Sequence, residues 1–107
     1  MAVKRKPHHD LKAVQARFAT VETIEITRSA LASARTLGYD LADIVAAVQA
    51  LELRDFVKSE TAHHPPNSRI WHDTYHLPWD GCGLYLKFAG ETLIDVVLTS
   101  FKELSHD

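Results

Sequence analysis

The chain has 107 residues, 46% hydrophobic and 24% charged, with a formal net charge of -2, so residues 1–107 suit one core-forming domain without the basic excess of a non-specific nucleic-acid binder. Its single cysteine, Cys82, cannot close an internal disulfide, which points to a cytoplasmic setting. No apolar run approaches the ~18 residues of a membrane span, and Lys4-Arg5-Lys6 leads into Pro7-His8-His9-Asp10 rather than an apolar signal core, so neither membrane insertion nor export by that route is expected.

Asp10 suits the N-cap of a short helix in which Leu11, Val14 and Phe18 recur at helical spacing. Val21 to Ile26 reads as extended. Thr27 caps a second helix over Arg28 to Leu37, with Ala30, Leu31 and Ala34 as a narrow apolar stripe and Gly38 as its stop. Asp40 caps a third, whose Leu41, Ile44, Val45, Val48 and Leu51 share one face, and Glu52 to Phe56 adds a last turn.

Beyond Phe56 the period changes to two. Val57 to Ala62 and Ile70 to Leu77 alternate, separated by the loop His63-His64-Pro65-Pro66-Asn67, and Pro78 to Cys82 forms another loop. In the second of these strands Trp71, Asp73, Tyr75 and Leu77 share the face whose large rings suit the core, which leaves Ile70, His72, Thr74 and His76 opposite. Gly83 to Phe88 and Leu93 to Lys102 read as a hairpin about Gly90-Glu91, the latter segment as a central strand covered on both faces. A two-residue loop predicts Phe88 beside Leu93, Leu86 beside Asp95 and Leu84 beside Val97, with Tyr85, Lys87, Ser100 and Lys102 gathered on the other face around Ile94, Val96 and Leu98. Helices followed by three or four antiparallel strands make the class α+β.

Lys58, His72, His76, Tyr85, Lys87 and Lys102 then lie on strands of one small sheet. Such a set suits cleavage of RNA through its own 2′-hydroxyl, which needs a proton acceptor, a proton donor and cations beside the phosphorus oxygens, but no metal. The letters leave open which group is acid and which is base. Taken singly, a strand lysine is more often a solvated or edge-protecting charge. A metal site among His63, His64, His72, His76, Asp73 and Cys82 is not expected, because His72 and His76 would stand ~13 Å apart at ~3.3 Å per residue.

The collinear set Lys-Arg-Lys-Pro-His at 4–8, Thr-Arg-Ser-Ala-Leu at 27–31, Asp-Phe-Val-Lys-Ser at 55–59, Ile-Trp-His-Asp-Thr-Tyr at 70–75, Leu-Tyr-Leu-Lys at 84–87 and Ser-Phe-Lys-Glu at 100–103 resembles the MqsR family of mRNA-interferase toxins. The resemblance implies a RelE-like fold with N-terminal helices packed on a small antiparallel sheet, metal-independent cleavage of mRNA without a cofactor, and neutralisation by a cognate zinc-binding, MqsA-like antitoxin. The family's functional positions fall on Lys58, Tyr85 and Lys102. Its pattern Asp-Phe-Tyr-Lys-Ser-Met and Trp-Gln-Asp-Val-Tyr is broken here by Val57, Glu60 and His72.

The expected catalytic set is therefore Lys58, His72, Tyr85 and Lys102, with Glu60, His76, Lys87 and Ser100 as substrate contacts. Glu60 could hold Lys58 or repel phosphate, and His72 could move a proton as glutamine cannot. The alternative is a binding module of the same fold, silent in cleavage, that acts through its antitoxin or RNA.

Overall fold

Each helix begins where a short oxygen-bearing side chain takes up a free N–H of the first turn. In the computed structural model, which describes residues 2–63, 65–79 and 81–104, Asp10 accepts from Ala13 N at the head of α1 (Leu11–Arg17), Thr27 from Ala30 N at α2 (Arg28–Thr36), and Asp40 from Asp43 N at α3 (Leu41–Ala50). These are the three caps expected from the letters. Asp43 bonds back to the Asp40 N–H and closes a capping box. Gly38 ends α2 at φ 92°, a left-handed conformation that suits glycine. The expected last turn after α3 is a 3₁₀ turn at Leu53–Asp55. Val21 to Ile26 is not an extended segment: residues 21–23 turn, and only Ile26 makes a bridge, parallel to Leu98.

Among the described residues five strands, β1 (Val3–Lys4), β2 (Phe56–His63), β3 (Pro66–Trp79), β4 (Cys82–Gly90) and β5 (Val97–Glu103), form one antiparallel sheet in chain order. With the helices this is the expected α+β class. β1 has no counterpart in the sequence pattern, because two residues carry no period. The strands also run deeper into the expected loops, so that His63 pairs with Pro66 and Trp79 with Cys82. His64 lies outside the described residues.

Leu93 to Lys102 departs most from expectation. It is not a central strand: β5 ends the hydrogen-bonded order, and Leu93 to Val96 belong to the loop before it. Asp95 accounts for this, since its carboxylate accepts from Glu91 N, Thr92 N and Thr92 Oγ1 and folds the chain back on itself. Gly90 permits the return, because a Cβ there would meet Val96 Cα at 2.8 Å. Ile94, apolar in the sequence, is consequently 81% exposed. The hairpin register moves with the loop: Leu84 faces Glu103, Leu86 faces Phe101 and Phe88 faces Leu98, with a bulge between the last two pairs.

The helices supply Leu11, Val14, Phe18, Ala30, Ala34, Ile44, Ala47, Val48 and Leu51 to a core whose other side is Tyr75, Leu77, Leu84, Leu86, Phe88, Leu98 and Phe101 of the sheet. Phe18 meets Phe88 edge-on at 5.5 Å, and Tyr39 meets Phe101 at 5.8 Å. Burial of each such ring contributes about 1.5–3 kcal/mol. Gln15, also buried, donates from Nε2 to the carbonyls of Val48, Gln49 and Leu51 and ties α1 to the end of α3. From Gly83 to Gly90, β4 alternates between half-buried and buried positions, so the helices cover one face of the sheet and leave the other open.

Asp73 joins the N-terminal segment to that covered face. It is 1% exposed, and its carboxylate accepts from His8 N at 3.1 Å, His9 N at 2.9 Å and the Ser59 hydroxyl at 2.5 Å. Trp71 is stacked on His8 at 5.1 Å, and Lys4 Nζ, 2.8 Å from His8 Nδ1, lies 4.0 Å from the indole on that same side, so one of its faces is taken. His9 donates from Nε2 to Gly90 O, and burial holds its pKa below the ordinary histidine value although Asp73 pulls it up. Hydrogen bonds to a buried charge are worth ~1.5–3 kcal/mol each. Asp73→Ala is therefore expected to lower the unfolding free energy by about 3 kcal/mol or more in urea titrations, and Ser59→Ala by about 1 kcal/mol; a loss under ~1 kcal/mol for Asp73→Ala would show that the carboxylate is not the tie.

Candidate active site

The open face of the sheet is built from alternate residues of β2 to β5, and the pairing register sorts them into three rows. The middle row runs Lys58, Thr74, Lys87, Ser100, each opposite the next. One neighbouring row holds Glu60 and His72, and the row on the other side holds His76, Tyr85 and Lys102. All eight residues expected at the site thus share one face, although the hairpin register behind that expectation differs. At ~4.8 Å between strands and ~3.3 Å per residue, the middle row is ~14 Å long and the outer rows lie ~7 Å to either side.

Lys58 Nζ lies 3.3 Å from Glu60 Oε1, and His63 Nε2 lies 3.6 Å from Glu60 Oε2. Burial pushes the Glu60 carboxyl up, but the Lys58 ammonium and the His63 ring outweigh it and hold Glu60 below the usual carboxylate range. Glu60 is therefore ionised near neutrality, and it engages Lys58 rather than open solvent. Glu60, Ala62, His63, His72 and Lys87 line a cavity of about 200 Å³ beside the lysine row. Burial, and then the Lys87 ammonium, lower the His72 pKa below its ordinary 6.5, with Glu60 opposing. At neutral pH His72 is mostly the uncharged ring, able to accept a proton.

On the other side of the row, Lys102 Nζ stands 4.9 Å from the centre of the Tyr85 ring, and the His76 ring lies 5.7 Å from it. Lys102 is exposed and Tyr85 half-buried. Tyr75 is buried in the core, and burial drives its pKa up, which removes it from proton transfer at this face. Among the described residues no group of three or more His, Cys, Asp and Glu side chains is arranged to hold a metal ion.

Thr74 was visible on this face from the alternation of residues 70–77, but a threonine carries no signal of its own. The structure puts it between Lys58 and Lys87, 2% exposed, with no hydrogen-bond partner for Oγ1 among the described residues. His63, which the letters assign to a loop, joins the site through Glu60 because β2 extends to it.

Residues 6–103 match the family described as motility quorum-sensing regulator, toxin of MqsA. The chain is also 34% identical over 100 residues to the mRNA interferase toxin MqsR of Escherichia coli (strain K12), across 94% of this chain and 97% of that protein. A buried hydroxyl without a partner costs about 1–3 kcal/mol of desolvation. Thr74→Val, which keeps the shape and removes the hydroxyl, is expected to raise thermal stability by about 1 kcal/mol; a clear drop in melting temperature would mean that the hydroxyl is satisfied in the folded protein.

Proposed function

This chain belongs to the MqsR toxin family, and on that premise we propose that residues 1–107 form one toxin domain that cleaves mRNA in the cytoplasm without a metal or other cofactor. Its partner is a cognate zinc-binding, MqsA-like antitoxin that neutralises it. The observation that carries the mechanism is the position of His72 and of Tyr85 on opposite flanks of one lysine row.

In-line displacement at phosphorus needs a proton acceptor on the side of the attacking oxygen and a donor on the side of the leaving oxygen. His72, held uncharged by burial and Lys87, accepts the proton of the 2′-hydroxyl. The 2′-oxygen bonds to phosphorus and the bond to the 5′-oxygen breaks, leaving a 2′,3′-cyclic phosphate and a 5′-hydroxyl. Tyr85 gives the departing 5′-oxygen its proton, with the Lys102 ammonium beside the ring. Lys58, Lys87 and Lys102 stabilise the charge that grows on the non-bridging oxygens, while Thr74, fully buried beneath them, packs under the row. His76 and Ser100 edge the bound strand. Glu60 holds Lys58 in the row by its 3.3 Å contact.

The same contact favours a second reading, in which Glu60 keeps Lys58 from phosphate and the protein binds RNA without cutting it. Incubation with RNA in a chelator separates the two: new 5′-hydroxyl ends are expected, and none at a site whose single preceding ribose is replaced by deoxyribose. Intact RNA would favour the silent module. Loss of one preorganised donor typically costs ~10²–10³ in kcat, so folded Lys58→Ala and Lys102→Ala variants are each expected to lose that much, and full activity in either removes that lysine from the mechanism.

The lowered His72 pKa also sets the pH dependence. Activity is expected to fall on the acid side only below pH 6.5, as His72 becomes protonated. In Lys87→Met the nearby positive charge is gone, protonation becomes easier, and this limb should move to higher pH; an unmoved limb in the kcat/KM profile would take His72 out of the proton-accepting role.

A further inference from the structure

The middle row of the site is ~14 Å long, and a strand that continues beyond the scissile phosphate can leave it by either end. The two ends differ in charge. At the β2 end the Glu60 carboxylate, ionised and 18% exposed, stands beside Lys58 and opposes a second phosphate. At the β5 end the sheet meets α2 in a groove of about 160 Å³, lined by Ser29, Ser33, Thr99, Ser100 and Lys102 together with the buried Ala30 and Phe101. Among the described residues no carboxylate lines it.

The groove is continuous with the site, because Ser100 ends the lysine row and Lys102 ends the Tyr85 row. A water molecule's share of liquid volume is about 30 Å³, so the groove has room for a tetrahedral oxyanion. Its hydroxyls divide into two groups. Thr99 Oγ1 donates to Lys87 O across the bulge, and Ser29 Oγ shares a hydrogen bond with Thr27 Oγ1 at 3.2 Å, so both are partly engaged. The hydroxyls of Ser33 and Ser100 make no hydrogen bond among the described residues, and both residues line the groove, one from the helix and one from the strand. Two free hydroxyl donors and an ammonium, with no competing anion, are the chemistry of a phosphodiester contact.

We propose that the groove between α2 and β5 is a subsite for the phosphodiester next to the scissile one, so that substrate RNA leaves the site over β5 and not over β2. This rests on the ribonuclease reading above, and its test is chosen to fail separately from that reading.

Oligonucleotides with a deoxyribose at the cleavage position bind without being cut, so their dissociation constants by fluorescence anisotropy do not depend on catalysis. A set with one neutral methylphosphonate at each linkage in turn is compared on wild type, Ser33→Ala and Ser33→Asp. One linkage beside the cleavage position should lose roughly five- to tenfold in affinity when neutralised, the worth of one charge-assisted contact in a half-exposed groove. Ser33→Asp should weaken the fully charged strand by a similar factor, and the neutral linkage should cancel that effect. Ser33→Ala, the milder change, should shrink the difference between charged and neutral strands even if the aspartate variant does not fold. Equal sensitivity to the methylphosphonate in wild type and both variants, or no sensitive linkage beside the cleavage position, overturns the subsite. Failure of wild type to cut the all-ribose strand would instead overturn the ribonuclease reading and leave these affinities to be judged on their own.

Discussion

The buried carboxylate of Asp73 is the constraint on which the open face depends. It gathers the backbone of His8 and His9 and the hydroxyl of Ser59 onto the covered side of β3. Side chains alternate across a strand, so fixing Asp73 inward fixes its neighbours His72 and Thr74 outward. Ser59 does the same on β2, because turning it inward turns Lys58 and Glu60 out. A single buried acceptor thus sets the parity of two adjacent strands. The same bonds pin the N-terminal segment, whose β1 then closes the outer edge of β2.

Once parity is set, the one-sided packing of the helices turns the open face into a surface of charged and polar groups. The core rings of β3 and β4 lie on the helical side, and Lys58, Lys87 and Lys102 lie on the other with, among the described residues, a single carboxylate, Glu60, beside them. Sequence charge is nearly balanced, so the cationic character belongs to the face and not to the chain. His72 and Glu60 show how the surroundings set protonation: burial first and then the Lys87 ammonium push the histidine towards its neutral form, while Lys58 and His63 outweigh burial and hold the carboxyl ionised. The two effects oppose each other at His72, and burial with Lys87 outweighs the Glu60 carboxylate, which leaves the ring mostly uncharged at neutral pH.

β5 illustrates how a wrong register can still give a right face. Placing the turn at Gly90-Glu91 misplaces every pair, yet the true register differs by an even number of residues over Tyr85 to Lys87, so Tyr85 still shares a side with Lys102 and Lys87 with Ser100. The bulge beyond Lys87 then reverses the alternation, which is why Leu98, grouped in the sequence with the open face, is buried in the core. Val96 is buried as well, within the loop rather than the strand. No pattern in Leu93 to Lys102 announces that bulge. Thr99, the residue it accommodates, is ordinary strand material.

The letters alone determined what is local. Asp10, Thr27 and Asp40 cap helices because their side chains reach an N–H three residues on, and period-two alternation sorts Trp71 to Leu77 into two faces whatever surrounds them. The collinear motifs likewise carry the family resemblance in the sequence itself. What only the tertiary structure decided is which segments lie side by side: β1 on the edge of β2, β5 at the end of the sheet, Thr74 buried between two lysines, and α2 against β5 with a groove between them. Those facts follow from hydrogen bonds between segments far apart in the chain, from the Asp95 turn and from one bulge. Local periodicity carries no term for any of them.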